Sequence, residues 1–278
     1  MRELSAAAIT QAVQRLCIDA CTNLGPDISQ ALGNAHSSEI SPFGRETLAQ
    51  IIENMEYARE NCLPCCQDTG MAVVFLKLGQ DLHIQGNLYD AINEGVRQGY
   101  EAGYLRKSVL DPLTRINTKD NTPAVIHTTI TPGDILEISV APKGAGSENM
   151  GRLSMLKPSD GTEGIKNFVI ETVELAGANP CPPLTVCVGI GGTMEKAALL
   201  AKEQVLREIG SKNPDPLLAQ LEAELLCHIN GLGIGPMGLG GLTTALAVHI
   251  ATYPTHIAEL PVAVNLQCHA ARHKTIVL

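Results

Sequence analysis

Cys66 ends the run Cys62-Leu-Pro-Cys65-Cys66 and opens Gln67-Asp68-Thr69-Gly70, so a thiol that can bind metal stands two residues from a carboxylate that can carry a proton. Two isolated cysteines, Cys187 and Cys268, each close an apolar stretch that reads as a buried strand. Three thiols converging on one site would be too few to close a cubane iron-sulfur cluster, which takes four cysteines as a rule. One iron would stay open, and an open iron acts as a Lewis acid rather than an electron relay. A lone cysteine in an apolar strand is also a common small apolar filler. The residues alone therefore leave both roles open for Cys187 and Cys268.

The other chemical groups have plain readings beside their functional ones. Cys62 and Cys65 form a C-x-x-C, but no second such pair and no His pair lies at the distance a zinc site needs. Arg106 follows a helical pattern, where a cation complements the helix dipole by default and binds a carboxylate only if a dicarboxylate is present. His256, after Tyr253-Pro254-Thr255, suits either a backbone cap or an anionic ligand. Gly233-Ile-Gly235-Pro-Met-Gly238 matches G-x-G-x-x-G in letters. It follows a helix and precedes a strand, the reverse of the nucleotide-binding context. Gly189-Ile-Gly191-Gly192 is better placed for an anion, since it leaves a strand and opens a helix.

These residues need elements to hold them. Apolar spacing predicts helices over 3–24, from Ser41-Pro42 to about 61, 88–105, 163–176, from Gly192-Thr193 to about 209, and 215–228. Short β-rich runs predict strands over 71–78, 124–130, 135–141, 184–190, 242–250 and 262–267. The second and third of these strands flank Thr131-Pro132-Gly133-Asp134, which reads as an antiparallel hairpin. The Cys66 turn thus joins a helix to a strand. The expected class is α/β of the α+β type, mixed sheets surrounded by helices, with residues 1–278 as a single domain since no linker or repeat is visible.

Composition narrows the functions. With 45% hydrophobic residues over 278 positions the chain can bury a full core, yet 3% aromatics and no Trp leave no stacking platform. A net charge of -9 argues against nucleic acid. No apolar run reaches a membrane span and the N-terminus lacks a signal-peptide pattern, so a cytoplasmic protein is expected. Nine cysteines, an odd number without even spacing, do not suggest a disulfide framework.

Taken together, Cys66-Gln67-Asp68-Thr69-Gly70, Lys143-Gly144-Ala145-Gly146-Ser147-Glu148-Asn149, Cys187-Val-Gly189-Ile-Gly191-Gly192 and the 233–241 glycine loop resemble the alpha subunit of class I iron-sulfur hydro-lyases, the oxygen-sensitive fumarases and L-tartrate dehydratases. The likeness runs from the helix before Cys66 to Cys268. It implies the family's alpha-subunit fold and a [4Fe-4S] cluster with one open iron, held by Cys66, Cys187 and Cys268. It also implies that Gln67, Arg106, Gly144, Gly146 and His256 bind a C4 dicarboxylate substrate, with Asp68 and His256 catalytic. A beta subunit would complete the site, and αβ units would assemble into a higher oligomer. Reversible dehydration of (S)-malate to fumarate is the first activity implied and dehydration of L-tartrate the second; a non-catalytic cluster or redox-sensor module is the rival from another class.

Overall fold

The computed structural model describes residues 2–278. They pack as two compact units, each discontinuous in sequence: residues 2–25, 54–144 and 272–278 form one, and residues 26–53 and 145–271 the other. Because the segments of the two units alternate along the chain, no linker separates them, and the sequence reads as one.

In the first unit, β1 (Arg2–Ser5) pairs in parallel with β3 (Leu82–Gln85). The opening helix therefore starts later than its apolar spacing suggests. Ser5 Oγ accepts from Ala8 N at 3.3 Å and caps α1 (Ala6–Thr22). α1 and α4 (Leu88–Ala102) share a core with one face of a four-stranded sheet, joining Ile9, Val13 and Leu16 to Ile92 and Val96 and to Val74, Ile138 and Val140. Each such side chain contributes roughly 1.5–3 kcal/mol by leaving water.

The order of that sheet corrects the expected hairpin. β4 (Val125–Thr131) and β5 (Leu136–Lys143) are both present, but β2 (Met71–Gly79) lies between them, parallel to β4 and antiparallel to β5, with β10 (Lys274–Val277) outside β5. The reason is burial. Five consecutive residues of β2, Ala72 to Leu76, are buried, so both faces need cover and the strand belongs at the centre, whereas β4 is mostly exposed and suits an edge. The 131–135 loop bends across the end of β2, where Gln80 N and Asp81 N donate to Thr131 O and Gly133 O.

The second unit is built on the sheet β6-β9-β7-β8, from β6 (Arg152–Leu156), β7 (Leu184–Gly191), β8 (Ala245–Tyr253) and β9 (Leu260–Gln267). One face, with Val186, Val188, Ile250, Val264 and Leu266, packs on α6 (Gly161–Ala176) and α8 (Pro216–Gly231). The other face carries Cys187, and α7 (Met194–Glu203) covers part of it through small residues, Ala197 and Ala201 against Ala263. β8 is an edge strand whose outward groups are taken by side chains. Glu222 and Asn213 bind Ile250 N and O, and Asn230 binds Ala245 N and O, which blunts strand addition. α2 (Pro26–Ser38), a helix absent from the sequence reading, precedes α3 (Pro42–Asn61), whose residues 42–53 belong to this unit. Among the described residues no helix is long and apolar enough to cross a membrane.

Candidate active site

The turn carrying Cys66 begins where α3 ends. Asn54 Nδ2 donates to Cys65 O at 2.8 Å and Cys65 N donates to Cys21 O at 3.0 Å. Cys65 is thereby buried against α1, while Cys66 and Gln67 stay exposed. The far side of the turn is fixed more firmly. Tyr100 Oη donates to Thr69 O at 3.2 Å and to Gly70 O at 3.0 Å, and Asn121 Nδ2 donates to Gly70 O at 3.1 Å. Both side chains are fully buried, so each of these bonds is made out of water.

The same scaffold delivers Arg106. Its backbone N–H donates to Thr69 Oγ1 at 2.9 Å, and Asn121 Oδ1 accepts from Ser108 N and Val109 N just beyond it. Arg106 itself is exposed, a cation beside the turn. Asp68 Oδ1 accepts from Gly70 N at 3.1 Å, which orients the carboxylate. Glycine is required at 70, and little room is left for a side chain at 144. A Cβ on Gly70 would lie 2.2 Å from Lys143 O, and one on Gly144 would lie 3.0 Å from Asp68 Oδ2 and 3.1 Å from Arg272 Nη2. The first unit thus brings together Cys66, Gln67, Asp68, Arg106 and Gly144. Behind them the Cys21 thiol is pushed up to about 12, chiefly by burial, against the opposing charge of Arg272, so it stays neutral.

In the second unit β7 and β9 run antiparallel with Thr185 opposite Gln267 and Cys187 opposite Asn265. Cys268 follows Gln267 and therefore lies three residues along the chain from Asn265, the partner of Cys187. Cys187 is fully buried and Cys268 partly so, with Cys268 Sγ 3.7 Å from Ala270 O. On the sheet face of Cys187, three buried oxygens have no hydrogen-bond partner: Thr185 Oγ1, Asn265 Oδ1 and Gln267 Oε1. The 145–149 segment reaches this face through Glu148, which accepts from Asn265 Nδ2 at 3.1 Å and pairs with Lys202. Gly146, in the one-turn helix α5 (Ala145–Glu148), is exposed.

His256 is placed elsewhere. It lies before the N-terminal end of β9, whereas Cys268 follows the C-terminal end, so the length of β9, roughly 25 Å at 3.3 Å per residue, separates them. Within a single chain His256 and Cys268 therefore stand at opposite ends of β9. Its Nδ1 accepts from Ala258 N at 3.2 Å, and it shares a cavity of about 570 Å³ with Gly192, Thr193, Lys196 and Tyr253. Gly192, just past the end of β7, and His256 are thus neighbours of each other, at the end of the sheet away from Cys268.

A cluster held by these cysteines fits the donor chemistry, since soft thiolates suit iron-sulfur centres. The three unpartnered oxygens beside Cys187 mark a face that is polar without being satisfied by protein. Among the described residues no three Cys, His, Asp or Glu side chains gather around a point fit for a single ion. A cubane takes one thiolate per iron and does not ask for that arrangement.

Sequence reasoning missed Tyr100, Asn121, Asn265, Gln267 and Arg272. For Asn265 and Gln267 a signal exists: in Val262-Ala263-Val264-Asn265-Leu266-Gln267 the apolar residues alternate with small or polar ones, which separates a core face from a site face. Tyr100 and Asn121 give no such sign, because their targets are backbone carbonyls some 30 and 51 positions away.

Residues 10–277 match the family model of fumarate hydratase (Fumerase). A Methanocaldococcus jannaschii protein provisionally named L(+)-tartrate dehydratase subunit alpha is 47% identical over 271 residues, covering 95% of both chains. An Escherichia coli protein named L(+)-tartrate dehydratase subunit alpha is 34% identical over 274 residues, covering 97% of this chain and 90% of that one. A Shigella sonnei protein of the same name matches to the same extent.

Proposed function

Because the chain belongs to the fumarate hydratase (Fumerase) family, we propose that it is the alpha subunit of a two-subunit hydro-lyase that reversibly dehydrates a four-carbon hydroxy-dicarboxylate, (S)-malate to fumarate. The observation that carries the reading is the Cys66-Gln67-Asp68 turn, fastened through Thr69 to Arg106 and closed by Gly144 against the Asp68 carboxylate. A second reading, L(+)-tartrate as substrate, is favoured by the names of the relatives. The two substrates differ by one hydroxyl, which one or two polar contacts can distinguish.

Cys66, Cys187 and Cys268 would hold a [4Fe-4S] cluster; when bound, it supplies a Lewis-acidic iron that makes hydroxide a better leaving group. The chain's own residues supply the rest. Arg106 and the exposed Gln67 amide hold a substrate carboxylate, and the Arg106 cation stabilises charge as it develops on the carbon losing its proton. Asp68, oriented by Gly70 N, moves that proton. The buried Cys65 and the exposed Cys62 take no part. A beta subunit adds further cationic groups to the site, and αβ units assemble further. Nine cysteines, an odd number without even spacing, suit a reducing compartment, the cytoplasm.

The test is anaerobic reconstitution of the alpha chain with its second subunit, assayed on malate, fumarate and L-tartrate. Turnover should be lost with Cys66→Ser, Cys187→Ser or Cys268→Ser and kept with Cys62→Ser and Cys65→Ser. Equal cluster content in all five variants would remove the three-ligand proposal. A cluster without dehydration of any hydroxy acid would favour the redox-sensor module, and a preference for tartrate would replace malate as substrate.

A further inference from the structure

Arg272 lies four residues after Cys268 and has no place in the roles above. Its side chain is 2% exposed. Nη1 donates to Asp68 O at 2.6 Å, and the guanidinium charge also acts on the Cys21 thiol of α1. Nη2 stands 3.1 Å from where a Gly144 Cβ would be, a point 3.0 Å from Asp68 Oδ2. One side chain therefore touches or borders α1, the Cys66 turn and the end of β5.

Burying a guanidinium costs several kcal/mol, and an apolar side chain of similar volume often fills such a space without loss of stability. What an apolar side chain lacks is the planar fork, which fixes the carbonyl it binds in direction as well as distance. The carbonyl chosen is that of Asp68, whose side chain is the proposed proton carrier and whose backbone lies two residues from Cys66. Gln67, Asp68 and Thr69 have no helix or strand of their own to hold them. The near side of the turn is tied through Cys65, the far side by Tyr100 and Asn121, and the middle by Arg272.

We propose that Arg272 is the positioning residue of the Cys66-Gln67-Asp68 turn, holding the Asp68 carbonyl so that Cys66 and Asp68 present their side chains in a fixed direction. The proposal rests on the reading of Cys66 and Asp68 as site residues.

The test uses the alpha chain with its second subunit, as wild type, Arg272→Met and Arg272→Lys, first metal-free and then anaerobically reconstituted. In the metal-free protein, amide hydrogen exchange followed by mass spectrometry should be at least tenfold faster in Arg272→Met for peptides covering Gln67 to Gly70 and unchanged for peptides covering α8. After reconstitution the same variant should lose its cluster in air at least tenfold faster, and kcat should fall while KM stays within about threefold. Arg272→Lys, which keeps one donor for the Asp68 carbonyl, should stand between the two, and it carries the comparison if Arg272→Met does not fold. Exchange in the turn at the wild-type rate would overturn the proposal, and so would acceleration spread equally over the chain. If the wild type itself takes up no cluster and dehydrates no hydroxy acid, the hydro-lyase reading fails, while the exchange rates still decide the role of Arg272.

Discussion

Asn265 stands directly opposite Cys187 across β7 and β9, with its Nδ2 donated to Glu148 Oε2 at 3.1 Å. Glu148 is in turn paired with Lys202. That chain of contacts fixes which way the amide points: the nitrogen faces Glu148, and the oxygen is the buried atom without a partner. A buried acceptor left unpaired costs about 1–3 kcal/mol. The face around Cys187 thus carries polar groups that the chain itself does not satisfy.

Asn265→Leu should separate stability from function. The substitution removes the unpaired oxygen together with the Nδ2 bond to Glu148, two opposing effects of similar size, so the urea midpoint of the metal-free protein should stay within the equivalent of about 1 kcal/mol of wild type. Turnover after reconstitution should fall at least tenfold. A large loss of stability with full turnover would show that Asn265 serves the fold and not the site.

Gly144 and Gly146 were both expected to meet substrate, and the surroundings of the two differ. A Cβ at Gly144 meets the Asp68 carboxylate and Arg272 at 3.0 and 3.1 Å, tighter than ordinary contact, whereas one at Gly146 meets Asn179 O at 3.4 Å. Gly144→Ala should lower kcat about tenfold or more by displacing Asp68, with thermal midpoint shifted by only a few degrees. Gly146→Ala should keep most activity. Equal behaviour of the two in steady-state kinetics would count against the Gly144 to Asp68 contact as functional.

His256→Ala should leave iron and acid-labile sulfide per protein at the wild-type level after reconstitution, because the length of β9 separates this residue from Cys268 in one chain. Iron and sulfide assays on the purified variant check this. A cluster content below half of wild type would mean that His256 supports the cysteines by a route the single chain does not contain.

The elements of the fold were legible where local chemistry decides them. β7 runs Leu184–Gly191 and α6 runs Gly161–Ala176, close to the spans that apolar spacing predicts, and Ser41 Oγ caps α3 through Gly44 N as its place before Pro42 suggests. Pairing was not legible. The Thr131-Pro-Gly-Asp turn looks like a hairpin turn, yet tertiary burial of β2 overrode the local signal and put a third strand between β4 and β5. For the site, the residues that carry chemistry were visible as types in turns, but those that hold them were not. Arg272 reaches Asp68 across 204 positions, a contact that no local spacing encodes.

Glu39 provides the clearest pH dependence outside the site. Its carboxylate is buried and accepts from Ile40 N, Ser41 N, Leu242 N and Thr243 N at 2.9–3.2 Å, tying the end of α2 to the residues that follow the glycine-rich loop. Burial opposes ionisation, but the four N–H groups outweigh it and hold the carboxyl below the usual glutamate range. A carboxyl depressed in the folded state adds stability above its unfolded pKa, about 4.3, and loses it as pH falls through the lower folded value. Glu39→Gln should therefore cost about 1.5–3 kcal/mol at pH 7, the worth of hydrogen bonds to a charged acceptor. The gap between wild type and variant should narrow as pH drops below about 4, because the wild-type carboxyl then protonates. Urea denaturation of both proteins at pH 7 and in the acid range reads this directly, and a gap that does not change with pH would rule out a charged Glu39 as the clamp.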